Sequence, residues 1–237
     1  MINKSLLKEE SAKIGIELDD IALERLDTYA EMLIETNKTL NLTAITEPDE
    51  VLYKHFIDSL SLLTVVDLKE GAKVIDVGTG AGFPGVVLLI ARPDIKITLM
   101  DGTNKRLNFI ADVLDKINLN AEILHSRAEL AGKDKQYREK FDLVTARAVA
   151  NMNTLSEYCI PFVKVSGIFA PMKAAKADEE LNSAKGAIKL LGGTVEKICH
   201  LNIDNCGERC IIITKKISQT PPKYPRASAQ ISKKPLA

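Results

Sequence analysis

The sequence predicts an α/β fold, a seven-stranded and mostly parallel sheet with helices on both faces and a helical extension before it. Three observations predict it. Apolar residues step by three and four over residues 1–70, short β-branched runs alternate with helical stretches from Ala72 onward, and a glycine-rich turn follows directly on the first of those runs.

Within residues 1–70, Leu18, Ile21, Leu26, Tyr29, Leu33 and Ile34, and then Val51, Leu52, Phe56, Leu60 and Leu63, recur at helical spacing and give three helices. Pro48, with Thr46 before it and Glu50 after it, starts the last of them. The strand runs are 73–77, 95–101, 121–125, 141–146, 167–172, 194–201 and 209–215. Helical patterns separate the early runs and make them parallel; the last two are joined only by residues 202–208, too few for a helix, and pair antiparallel. Beyond Ile217, Pro221, Pro222, Pro225 and Pro235 forbid regular structure and leave an extended tail. The chain divides into a helical extension (1–70), an α/β core (71–217) and a tail (218–237).

At 237 residues the chain is long enough to bury a sizeable core, and 46% hydrophobic against 27% charged residues exclude disorder and fibrous repeats. The longest apolar stretch, around Val86 to Ala91, is far too short to span a bilayer, and no basic-then-apolar leader opens the sequence, so the expected location is cytoplasmic. Cys159, Cys199, Cys206 and Cys210 form no paired CxxC, so neither a metal site nor a disulfide framework is expected. Net charge is zero, but the six basic residues from Lys215 onward meet no acid, which leaves the preceding 214 residues with 26 basic against 32 acidic. The segregated charge suits a polyanionic partner.

Asp76-Val77-Gly78-Thr79-Gly80-Ala81-Gly82 lets the backbone approach a ligand where the next helix presents its positive end. Asp101, at the end of the second strand, suits ribose hydroxyls in any nucleotide-binding fold of this kind. Phe83 stands where a dinucleotide fingerprint wants its third glycine, and Asp76 opposes a pyrophosphate while suiting a cationic amino-acid end. These two features favour S-adenosylmethionine over NAD.

Further along, Asn41-Leu42-Thr43, His55-Phe56-Ile57-Asp58-Ser59-Leu60, Asp76 to Gly85, Lys105-Arg106, Arg127-Ala128-Glu129, Ala146-Arg147-Ala148 and Tyr224-Pro225-Arg226 resemble, in order and spacing, the glucose-inhibited division protein B family of bacterial 16S ribosomal RNA guanine-N7 methyltransferases. The resemblance runs from about residue 20 onward and implies the Rossmann-like fold of the class I S-adenosylmethionine methyltransferases. It implies that Gly78 and Phe83 line the methionine and ribose part of the cofactor site, that Ala128 and Glu129 flank the adenine, and that Arg147 lies beside the cofactor near the target base. Phe83 as core, Glu129 as a helix cap and Arg147 as a surface charge are the alternatives from the residues alone. Asp76, Gly80 and Asp101 complete the cofactor set.

Lys105 and Arg106 oppose the dipole of the helix they open, which suggests phosphate contacts, and Lys223 and Arg226 are read as RNA contacts of the tail. His55 and Asp58, one helical turn apart, are either an acid/base pair or structural; the supporting role is preferred for His55. The implied partner is 16S ribosomal RNA or the small ribosomal subunit. Guanine N7 carries no proton, so no general base is expected, and Arg147 is assigned to positioning. Methyl transfer to a small molecule or protein, and a non-catalytic assembly factor that binds ribosomal RNA, are the rival readings.

Overall fold

A computed structural model describes residues 1–237. Helix α1 (Lys4–Lys13) is capped by Asn3, whose side chain accepts the Leu6 N–H at 3.1 Å, and α2 (Asp20–Leu40) by Asp19, which accepts the Ala22 N–H at 2.7 Å. Each cap satisfies a backbone donor that the first turn leaves without a partner. Left-handed Asn41 ends α2. The third helical stretch begins at Pro48 as the sequence predicts, but its winding changes midway: α3 (Pro48–Val51) passes into a π-helical turn (Leu52–Ile57), then α4 (Asp58–Leu60) and a 3-10 turn (Ser61–Thr64).

The sheet region follows as β1 (Lys73–Val77), α5 (Gly85–Ala91), β2 (Lys96–Asp101), α6 (Asn104–Lys116), β3 (Glu122–His125), α7 (Ala128–Ala131), β4 (Phe141–Arg147), α8 (Met152–Cys159), β5 (Val163–Lys173), α9 (Ala177–Leu190), β6 (Gly193–Ile203), β7 (Gly207–Lys216) and α10 (Ser228–Lys233). Strand order is β3-β2-β1-β4-β5-β7-β6, parallel through β5, with β7 antiparallel to both its neighbours. The order reverses between β1 and β4. At such a switch point the loops leaving the strand ends diverge and open a crevice.

Neighbouring strand residues point to opposite faces. Val74, Leu143 and Ile211 therefore join one core with Leu26, Tyr29, Phe56 and Val86, while Ile75, Val144 and Ile212 join the other with Leu155, Phe162 and Leu181. The helices before β1 thus form part of the layer over one sheet face and share its core. No helix is long and apolar enough to cross a membrane, and no group of three or more His, Cys, Asp or Glu is arranged to hold a metal.

The tail departs from the expected extended segment. Its prolines do interrupt regular structure, but Ser228–Lys233 forms α10, and Tyr224 and Ile231 are buried. Arg138 donates to the carbonyls of Gly132, Thr220, Pro221 and Tyr224 at 2.7–3.3 Å, satisfying backbone that the prolines exclude from ladders. Lys216, buried by its Glu139 partner, also donates to Thr220 Oγ1 at 2.7 Å. Proline spacing predicts where helices stop; it is silent about distant side chains that collect the freed carbonyls.

Candidate active site

The end of β1 is stitched to the end of β2. Gly78 and Thr79 N–H groups both donate to the Met100 carbonyl at 2.8 and 2.9 Å. Asp101 then accepts the Gly80 N–H at 3.0 Å and the Thr103 N–H at 2.8 Å, so one carboxylate sets two loops at the crevice mouth. Gly80 is left-handed (φ 61°), and side chains added at Gly80 or Gly102 would meet nothing within 4 Å. Both glycines face open space. Ser126 N–H reaches the Asp101 carbonyl at 3.2 Å, which brings Ala128 and the buried Glu129, in the first turn of α7, to the same edge.

Asp76 is a correction to the expected ligand contact. It is fully buried behind the turn, where Oδ2 accepts the Gly85 N–H at 2.9 Å and Oδ1 has no partner. Burial raises its carboxyl to about 6. Its charge therefore supports the crevice through the loop, and contact is left to the backbone and to Asp101. The crevice fits S-adenosylmethionine: open space beside glycine backbone and, at the end of β2, an acid whose oxygens are fixed by two loop N–H groups.

Phe83 is almost buried, with its ring centroid 4.2 Å from that of His55 and 5.3 Å from that of Tyr29. The Arg147 guanidinium lies 5.0 Å from the same centroid. Phe83 is thus part of a packed platform, as its core alternative anticipates, and the platform carries Arg147 by cation–π attraction.

Arg147 is held by the π-helical turn. Its Nη1 donates to the Lys54 carbonyl at 3.0 Å and to Asp58 Oδ2 at 2.7 Å, and Nη2 meets His55 Nδ1 at 3.2 Å. His55 Nδ1 lies 3.2 Å from both the Arg147 guanidinium, which only donates, and the Lys54 carbonyl, which only accepts, and Nε2 reaches Thr43 Oγ1 at 2.9 Å. Burial, then the charge of Arg147, push the imidazole down to about 3. A histidine buried neutral binds its proton more readily when unfolded; the stability it contributes is complete above about 6.5 and is lost as pH falls toward 3. Asp58 spends its second oxygen on Arg209 Nε at 2.9 Å. His55 and Asp58 thus both bear on Arg147, and no hydrogen bond joins them to each other. Arg209 and Tyr29, whose hydroxyl donates to the Ala81 carbonyl at 2.5 Å, escape sequence reasoning. The only signal for Arg209 is a cation next to the apolar run Cys210 to Ile213.

On the β5 side of Arg147 lies a cavity of about 590 Å³, lined among others by Lys54, Lys173, Lys176, Glu180 and Arg209. Arg106 stands 3.6 Å from Asp101 at the rim of the crevice, and Lys105 is exposed beside it. Lys223 is exposed over the Tyr224 ring. Arg226 is a second correction: its Nη2 pairs with Glu157 at 2.6 Å and donates to the Lys234 carbonyl at 3.0 Å, so it anchors the tail and is not offered to RNA. Glu157 lies in the second half of α8, and the tail's Pro225 sits beside Gly132, directly after α7.

Solved methyltransferases share this architecture. One from Pyrococcus furiosus superposes with a TM-score of 0.58 at 16% identity, over 82% of this chain and 99% of that one. An S-adenosylmethionine-dependent O-methyltransferase from Thermotoga maritima gives 0.54 at 17% identity, over 80% and 73%. At such identities the likeness is one of fold. Among sequences, ribosomal RNA small subunit methyltransferase G of Clostridium perfringens is 44% identical over 233 residues, covering 98% of each chain. The family model described as rRNA small subunit methyltransferase G matches residues 22–210, a span that holds the glycine turn, His55, Asp58, Arg147 and Arg209 together. With β1 to β6, the crevice and the arginine platform all lying inside that match, the chain belongs to the GidB family of ribosomal RNA small subunit methyltransferases G.

Proposed function

We propose that the protein transfers the methyl group of S-adenosylmethionine to N7 of a guanine in 16S ribosomal RNA of the small ribosomal subunit. The observation that carries this reading is the position of Arg147, which borders the glycine-turn platform on one side and the 590 Å³ cavity on the other. A cofactor on one side and an extruded base on the other would then meet at a single, tightly held side chain. The cofactor, when bound, supplies a methyl group already activated on a sulfonium. Gly78, Gly80, Asp101, Ala128 and Glu129 would hold it. Lys105 and Arg106 at the rim, with Lys223 on the tail, are the cations left for phosphate.

The N7 lone pair is free at neutral pH, so displacement needs orientation and no proton acceptor. The residues agree with that demand: His55 is neutral and hydrogen-bonded, and both Asp58 oxygens are taken by arginines. Holding attacking nitrogen and methyl carbon about 3 to 3.5 Å apart and in line supplies several kcal/mol. The target base leaves its stack to enter a cavity, which favours loop or single-stranded RNA.

The test is transfer of labelled methyl from S-adenosylmethionine to small subunits and to deproteinised 16S RNA, with the modified atom identified by nucleoside analysis. N7-methylguanosine is expected; label on protein, or binding without transfer, would replace the reading with one of its rivals. In the same assay, single-turnover rates at saturating cofactor should show no limb from His55 through the neutral range, because burial and Arg147 push that imidazole down to about 3; a limb near 6 belongs to Asp76 behind the cofactor turn. A limb near neutrality that disappears in His55→Ala would point to acid/base chemistry at another atom.

A further inference from the structure

The cavity beside Arg147 contains one charged pair that the arginine platform does not use. Lys173, at the end of β5, and Glu180, in the first turns of α9, meet at 2.6 Å between Nζ and Oε2, and both line the cavity. Their side chains retain 13% and 23% of their exposure. Glu180 Oε2 also accepts the Met152 N–H at 3.0 Å, and Lys173 Nζ also donates to the Ala150 carbonyl at 3.0 Å.

Counting bonds shows what remains. An ammonium has three N–H donors, and Lys173 uses two, on Glu180 and Ala150. Glu180 Oε2 is occupied, while Oε1 makes no hydrogen bond within the protein. The pair therefore presents one spare donor directly beside one spare, negatively charged acceptor. Asp58, the other acid of the cavity, has both oxygens bound by Arg147 and Arg209. Glu180 Oε1 is the one carboxylate oxygen of the cavity that accepts no hydrogen bond within the protein.

A donor beside an anionic acceptor is the complement of one purine edge. Guanine offers the O6 acceptor next to the N1–H and N2–H donors. Adenine offers the reverse, an amino donor next to the N1 acceptor, which would set like against like at both positions. We propose that Lys173 and Glu180 read the Watson–Crick edge of the methylated guanine, Lys173 on O6 and Glu180 on N1–H and N2–H. N7 flanks O6 on the ring and is left unblocked by this contact, available on the side of Arg147. The inference rests on the proposed methyl transfer and assigns it a specificity element. The Ala150 and Met152 contacts hold the loop between β4 and α8, whose Val149 packs against Gly78; the same pair thus joins the base cavity to the wall of the cofactor crevice.

The test uses small subunits reconstituted with 16S RNA carrying either guanosine or inosine at the methylated position. Inosine keeps O6, N1–H and N7 but lacks the N2 amino group. Wild-type protein should methylate guanosine faster in single turnover by about tenfold or more, the worth of one good base contact. Glu180→Gln, which keeps an oxygen for the Met152 N–H, should lose most of that preference while S-adenosylhomocysteine affinity, measured by calorimetry, stays near wild type. Equal loss on both substrates, or a preference that survives in Glu180→Gln, would overturn the base-reading role and leave a loop clamp. Failure of the wild type to methylate guanosine would overturn the activity itself and this inference with it.

Discussion

The helices before β1 and the tail after β7 flank the same sheet, yet they are held in opposite ways. The N-terminal helices bury a stripe that includes Leu23, Leu26, Tyr29 and Leu33 in a continuous core, so their attachment is spread over many nondirectional contacts. The tail is pinned at few points: Arg138 on backbone carbonyls, Lys216 on Glu139 and Thr220, Arg226 on Glu157. A spread apolar contact leaves its side chains free to carry further chemistry at its ends, and the third helical stretch does so with His55 and Asp58. Lys216, at the end of β7, and Arg226, in the tail, are spent on being tied.

Breaking the N-terminal attachment where it meets the site should have the largest effect. Asp58→Ala leaves the guanidinium groups of Arg147 and Arg209 without their common partner, at a cost of about 3 kcal/mol or more in stability. An Arg147 displaced by even an ångström should lower single-turnover methyl transfer about a hundredfold. Urea titration and rapid-quench assays read the two quantities; a rate within about twofold of wild type would mean that Asp58 does not position Arg147.

An intermediate effect is expected from the tail anchor. Arg226→Ala strands the fully buried Glu157 and should lower the melting temperature by several degrees, for a loss of roughly 2–3 kcal/mol in a chain of this size. Methyl transfer well below that temperature should be retained, since the pair lies away from the site. A large rate loss in the cold would show that the tail acts on catalysis as well as on stability.

The smallest effect sharpens the comparison. Lys223, Lys233 and Lys234 remain exposed, and replacing all three by Ala should reduce the slope of log RNA affinity against log salt by at most about 2, near 0.7 for each phosphate contact. Adding Arg226→Ala should change that slope no further. An additional flattening of comparable size would return Arg226 to the RNA surface.

The same contrast explains what could be read in the sequence. The helices were legible because burying a helix face demands apolar residues at a repeating interval, and the number of strands and the antiparallel last pair followed from β-branched runs and the spacing between them; the order of the strands in the sheet did not. The glycine turn and Asp101 were legible because close backbone approach and a strand-end acid leave local marks. The docked tail was not, since Arg138 and Glu157 belong to other elements and one ion pair leaves no period. The inward burial of Asp76 was hidden for a related reason: a motif gives the residue, while which side of the turn its carboxyl takes is decided by the Gly85 N–H. The π-helical turn that brings Lys54, His55 and Asp58 around one arginine has no apolar signature of its own.

The span of that cluster also bears on how the protein comes off the ribosome that makes it. Asp58 is joined to Arg147 across 89 residues and to Arg209 across 151. At about 5–20 residues per second, Asp58 precedes Arg209 by roughly 8 to 30 seconds of synthesis. During that interval the nascent chain holds a carboxylate destined for burial without its second cation, and the apolar partners of α2 wait for strands not yet made. Catalytic competence arrives nearly last, after β7 has inserted between β5 and β6, so a chain truncated by premature termination before residue 209 is left without an assembled site.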